Sequence, residues 1–249
     1  MELSSNELFH FTRFEFLKSI VNNKAFIPRY CLEFTHLSNS YNYKAALLPV
    51  AMVCFCDIPF DKTKKHRERY GNYGIVLSEK WKLNKGLNPI FYVQSESFLA
   101  NVFANFASMT PSFIPIIKNK EYGIEVPLTL AKVGKNLTYI TYFLKQFENK
   151  KKVIIDYEGK IRTFEKRKFY DEREWRFIPF EADNKDELFI SIWDYDNPEK
   201  LSLAHKKLEK YKLTFDYDDV KYLIATTEKE KKELEALTEN KLEIKLLKC

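Results

Sequence analysis

Val50–Cys56 reads VAMVCFC, followed by Asp57-Ile58-Pro59. The run is short, apolar on both alternations and rich in strand formers, and a proline closes it. It reads as a buried central strand. Working outward, Glu7–Thr12 (ELFHFT) is an aromatic strand. A helix is expected over about Arg13–Asn22, where Phe14, Leu17, Ile20 and Val21 fall at helical spacing. Pro28 forces an extended exit after Phe26, and residues 32–46 read as a polar loop. Downstream, Phe60–Tyr70 is a charged helix ending at Gly71, which suits a left-handed cap. Tyr73–Leu77 is a strand, Ser78 caps a helical turn, and Ile90–Val93 is a strand. Residues 94–150 carry amphipathic stretches, such as Phe98–Phe106 and Leu137–Phe147, interrupted by Pro111, Pro115 and Pro127, so a mostly helical insertion is expected there. Strand signal returns from Val153, with Trp175–Phe180 and Glu187–Trp193 as candidates. The end reads as strand (Val220–Ala225), helix (Thr227–Glu239) and strand (Leu242–Leu247), with acids at the helix start where the dipole favours them. The expected architecture is one α+β domain over residues 1–249, with a split, twisted mixed sheet and the insertion at about 94–150.

Composition narrows the function classes. Only six glycines occur, and neither GxGxxG nor GxxxxGK[ST] is present, which argues against Rossmann and P-loop nucleotide sites. Net charge is +6, with both signs intermixed, so nucleic-acid contact is permitted but not required. The basic stretches Lys62–Arg69 and Lys145–Lys152 read first as solvated faces. Cys54 and Cys56 share one side of a strand, but lack zinc spacing and a histidine pair, and no metal constellation is read anywhere. The cysteines read as buried free thiols. With no disulfide framework and no signal peptide, a cytoplasmic location is expected. Ala45–Cys56 is too short for a membrane span.

Leu8–Thr12 (LFHFT), Met52–Pro59 (MVCFCDIP) with Tyr70–Leu77 (YGNYGIVL), and Phe169–Pro179 (FYDEREWRFIP) occur in that order, joined by Pro28–Cys31 and Gly86–Pro89. Together they resemble the AbiGi family of bacterial abortive phage-resistance proteins over about residues 7–180. The resemblance implies the antitoxin half of an abortive-infection pair, whose partner resembles a nucleotidyltransferase toxin. More distantly, an opening strand with H-[FY]-T is similar to ADP-ribosyltransferase-like folds of the DarT and PARP type. That similarity implies NAD as co-substrate. It implies His10, Tyr73 and Glu174 as catalytic groups, with Thr12, Arg13, Arg29, Tyr70 and Arg176 around the cofactor.

The residues themselves leave alternatives open. His10 lies between Phe9 and Phe11, so it faces a surface or cleft if the phenylalanines are core. It can serve a ribose hydroxyl, or simply bond a neighbouring loop. In Asp171–Arg176 (DEREWR), strand alternation puts Glu172, Glu174 and Arg176 on one face and Arg173 and Trp175 on the other. That face is either a charged site, with Glu174 held ionised to support developing positive charge, or a salt-bridge lock on the sheet. Tyr70 and Tyr73 bracket Gly71-Asn72 and can stack on a planar base or pack at an edge. Arg13 and Arg29 have the fork that grips phosphate. Three functions follow: an NAD-dependent ADP-ribosyltransferase-like enzyme, in whose cleft His10, a tyrosine and Glu174 converge; a non-enzymatic antitoxin or phage sensor binding a toxin or phage protein; and direct binding of nucleic acid, with strong salt dependence.

Overall fold

A computed structural model describes residues 7–34, 47–103, 105, 136, 139–149, 152–155, 161–180 and 187–247. Contacts divide the chain into two compact units. The first comprises Met1–Cys31, Ala51–Pro89 and Glu172–Cys249, and the second Leu32–Val50 and Ile90–Asp171.

The chain begins with β1 (Glu7–Thr12) and α1 (Phe14–Asn23). Leu17 and Val21 are fully buried while Phe14 and Ile20 pack beside them, which is the stripe read from spacing. Each of the two buried side chains contributes on the order of 2 kcal/mol. Lys24 ends the helix in a left-handed conformation, φ 45°. Next come β2 (Ala25–Phe26), β3 (Arg29–Phe34) and β4 (Leu47–Cys56). Of the loop expected over residues 32–46, positions 32–34 belong instead to β3, and residues 35–46 lie outside the described residues.

The charged helix expected over 60–70 is split. Phe60–Lys62 is a 3-10 turn, and α2 spans Lys64–Tyr70. The buried Thr63 hydroxyl donates to the Phe60 carbonyl at 2.7 Å and closes the turn before the helix starts. β5 (Tyr73–Ser78) and α3 (Glu79–Asn84) follow, and Ser78 Oγ accepts the Trp81 N–H at 3.2 Å, as its cap position predicts. Ser78→Ala should lower stability by about 1 kcal/mol in urea unfolding, the usual cost of a lost cap.

β6 is Asn88–Pro89. The second unit then holds β7 (Phe91–Val93), paired in parallel with β8 (Leu144–Gln146), and places Val93 and Leu144 against Ala100. It also holds β9 (Glu148–Asn149), β10 (Lys152–Ile155), β11 (Ile161–Phe164) and β12 (Arg167–Lys168). β10 pairs with β11 and β9 with β12, both antiparallel. The helix expected over Leu137–Phe147 thus yields to strand at 144, where pairing with β7 outweighs helical periodicity. Of the insertion expected at about 94–150, residues 104, 106–135, 137–138 and 150 lie outside the described residues.

The first unit resumes with β13 (Glu174–Phe177). Glu187–Trp193 is not the strand expected. Ser191 Oγ accepts the Asp194 N–H and starts α4 (Ile192–Asp196), so local capping beats the apolar run. α5 (Pro198–Lys207), capped by Asn197 with proline at its first turn, is lysine-rich and its apolar stripe is thin, which hides it from pattern reading. β14 (Leu213–Thr214) pairs with β2. The closing strand–helix–strand is as read. β15 (Val220–Ala225), α6 (Glu228–Leu237) and β16 (Ile244–Leu246) form a parallel crossover, with Thr227 and Glu230 making a capping box.

The strands run β16–β15–β5–β1–β4–β13–β6. Only β15–β16 is parallel along this path; the other pairs are antiparallel. The fold class is therefore α+β with a mixed, mostly antiparallel sheet. Register assigns the two faces. Leu8, Phe55, Ile75, Leu77 and Leu223 join Leu17, Phe26 and Trp81 in the larger core. Phe9, Phe11, Cys56, Val76, Tyr222 and Ile224 form a second core on the reverse face.

Candidate functional site

β1 holds its two phenylalanines on the reverse face, so His10 points the other way, as alternation requires. On that side the half-buried imidazole packs against aromatic rings of the larger core. The imidazole meets the Phe26 ring edge-on, centroids 5.1 Å apart, and lies 5.5 Å from the Phe55 ring. β1 and β4 share the registered pair Phe9–Cys56. Beside it, His10 Nδ1 donates to the Cys54 carbonyl at 2.8 Å. Burial pushes the His10 pKa below its ordinary value, with the backbone bond opposing.

Glu174 is set by β13. It pairs with Cys56, and Arg176 pairs with Cys54. Directly paired residues share a face, so Glu174 and Arg176 lie on the reverse side with Phe9, and His10 lies on the larger-core side. The imidazole and the carboxylate expected to converge are thus on opposite faces of one sheet. Both acidic-strand residues are buried, Glu174 at 6% and Arg176 at 1% exposure, and Arg176 Nε donates to Glu174 Oε1 at 2.6 Å. The alternation expected through DEREWR holds only from Glu174. Arg173 takes φ 43°, and Glu172 closes a 3-10 turn instead of lying on the strand. Arg173 Nε donates to the Asp57 carbonyl at 2.9 Å, and the Asp57 N–H returns a bond to the Arg173 carbonyl. Glu172, also buried, faces Arg69 at 3.7 Å.

Tyr73 shares His10's face but is occupied. Its hydroxyl donates to Glu230 at 2.7 Å and lies 2.9 Å from the Thr226 hydroxyl, while its ring packs on Phe14. Burial pushes the Glu230 carboxyl up, yet bonds from Tyr73, Thr226 and Thr227 outweigh it and hold the group at about 2. A lowered carboxyl pKa stabilises the fold above the unfolded value, near 4.5, and that stability is lost as pH falls towards about 2. Tyr73→Phe should therefore raise the acid-unfolding midpoint and cost about 1 kcal/mol near neutrality. Circular dichroism across pH 2–5 checks this.

The remaining candidates scatter. Thr12 is buried and pairs with Tyr73. Arg13 is exposed at the start of α1 and caps it with no side-chain bond. Tyr70 is exposed and packs on His66, centroids 4.5 Å apart. Arg29 lies in a hollow of about 410 Å³ with His205, a residue that no motif in the sequence singles out. Positions 29 and 205 are 176 residues apart, and no local spacing links them. Among the described residues there is no group of three His, Cys, Asp or Glu that could hold a metal ion. Nor is any helix there long and apolar enough to cross a membrane.

Comparison with known proteins agrees with the sequence resemblance. An abortive phage resistance protein AbiGi from Lactococcus lactis subsp. cremoris is 28% identical over 211 residues, covering 80% of this chain and 81% of that protein. No solved structure matches. Residues 24–226 match the family described as "Putative abortive phage resistance protein AbiGi, antitoxin", and the chain belongs to that AbiGi family of abortive phage resistance proteins.

Proposed function

We propose that this protein acts as a non-enzymatic antitoxin in abortive infection, restraining a toxin by binding it. The observation that carries this reading is the separation of His10 and Glu174 on opposite sheet faces, each already bonded to a neighbouring group. ADP-ribose transfer from NAD needs the imidazole and the carboxylate on one dinucleotide. Here both serve the sheet: one ties β1 to β4, and the other anchors a buried guanidinium. The family's antitoxin description supports the same reading. A nucleic-acid partner has weaker support, since Arg67 and Arg69 of the basic stretch bond Thr63, Asn72 and Glu172.

Two measurements test the reading. Expression of the toxin alone should arrest growth, and co-expression with this protein should restore it. Purified protein incubated with labelled NAD and host extract should release no nicotinamide above buffer and transfer no label. Nicotinamide release that disappears in Glu174→Gln, with the variant still folded, would overturn the proposal in favour of an NAD-consuming enzyme.

A further inference from the structure

We propose that the hollow between Arg29 of β3 and His205 of α5 binds a small phosphate monoester. One phosphate oxygen would bridge the Arg29 guanidinium and the His205 ring. The argument starts from hydrogen-bond roles. His205 Nε2 lies 3.3 Å from the Tyr30 backbone N–H, and His205 Nδ1 lies 3.4 Å from Arg29 Nη1. A backbone N–H and a guanidinium only donate, whereas a neutral imidazole has one accepting nitrogen and one N–H. Whichever tautomer forms, one ring nitrogen meets a donor with a hydrogen of its own. Protonation makes both meetings unfavourable. Both distances exceed the usual 2.7–3.2 Å range. The ring cannot swing away freely, because it stacks on Tyr30 with centroids 5.7 Å apart and planes 18° apart.

An acceptor between Arg29 and His205 resolves the conflict. Nε2 then accepts from Tyr30, and Nδ1–H and Arg29 both donate to the added oxygen. Among the described residues Arg29 and Lys206 have no acidic partner, and Lys206 lines the same hollow with Ser202. A lysine, a serine, an arginine and a histidine thus border one hollow, residue types that suit the three oxygens of a phosphate. Ile27 and Leu201 give the hollow an apolar side for an organic group. The hollow is open to solvent, and its volume of about 410 Å³ leaves room for a small monoester. Glu209, also in the lining, opposes any anion there, and it weighs more against an extended polyphosphate or nucleic-acid backbone than against one phosphate held by Arg29 and His205. The site is independent of the antitoxin reading.

The test uses phenyl phosphate as probe, with phenol and benzoate as comparisons, followed by NMR of the His205 ring and by calorimetry. Phenyl phosphate should shift the His205 signals saturably, and phenol should not. Arg29→Gln, an exposed substitution that leaves the core intact, should weaken binding tenfold or more, and His205→Gln should weaken it too. No saturable shift, or undiminished binding in Arg29→Gln, would overturn the site. Benzoate binding as tightly as phenyl phosphate would overturn the assignment to phosphate.

Discussion

Arg176→Met is expected to destabilise the first unit by about 3–5 kcal/mol, the cost of leaving a carboxylate buried without its cation. Arg176 is 1% exposed and Glu174 6%, so water does not replace the lost partner. The 2.6 Å bond from Nε to Glu174 Oε1 lies on β13, which is held between β4 and β6. The double variant Glu174→Met/Arg176→Met removes both charges and should recover most of the loss, since apolar residues of similar volume replace buried ion pairs with little penalty. Urea unfolding of the two variants measures the difference. A single variant within 1 kcal/mol of the parent would mean that the pair does not lock the sheet.

The sheet was largely legible because its signals are local. VAMVCFC is apolar on both alternations and does lie with a core on each side. The stripe of Leu17 and Val21 is buried, and the Thr227 cap sits where its spacing puts it. The errors come where a second interaction overrides the pattern. Ser191 turned an apolar run into a helix start, and pairing with β7 took Leu144–Gln146 out of an amphipathic helix. The site was far less legible. Alternation correctly predicted that His10 faces away from Phe9 and Phe11. It carried no information on which face of a different strand Glu174 would occupy. That depends on the register of β4 between them, with Phe9 opposite Cys56 and Cys56 opposite Glu174, and register between distant strands is not written in either strand alone. His205 fails for the same reason, since its partners Arg29 and Tyr30 come from the opposite end of the sequence.

Gly71→Ala should be nearly as costly as the loss of Arg176, about 3 kcal/mol or more. The sequence pointed to a left-handed helix cap at this position, but Gly71 has φ 123° and ψ 160°, an extended conformation with positive φ that belongs essentially to glycine. A β-carbon there would sit 2.0 Å from the Thr12 carbonyl oxygen and 2.5 Å from its carbon. Both atoms are backbone, so no side chain can rotate out of the way. Thr12 pairs with Tyr73, two residues beyond the glycine, so relief of the clash must pull the end of β1 away from β5. Gly86→Ala separates the two contributions. Gly86 also has positive φ, 65°, yet a β-carbon there meets nothing within 4 Å, so only the left-handed penalty of about 1–2 kcal/mol applies. Thermal unfolding should therefore rank the parent above Gly86→Ala and Gly86→Ala well above Gly71→Ala. Equal losses in the two variants would show that β1 yields to the added methyl, and that the close approach of Gly71 does not fix how the first strand joins the sheet.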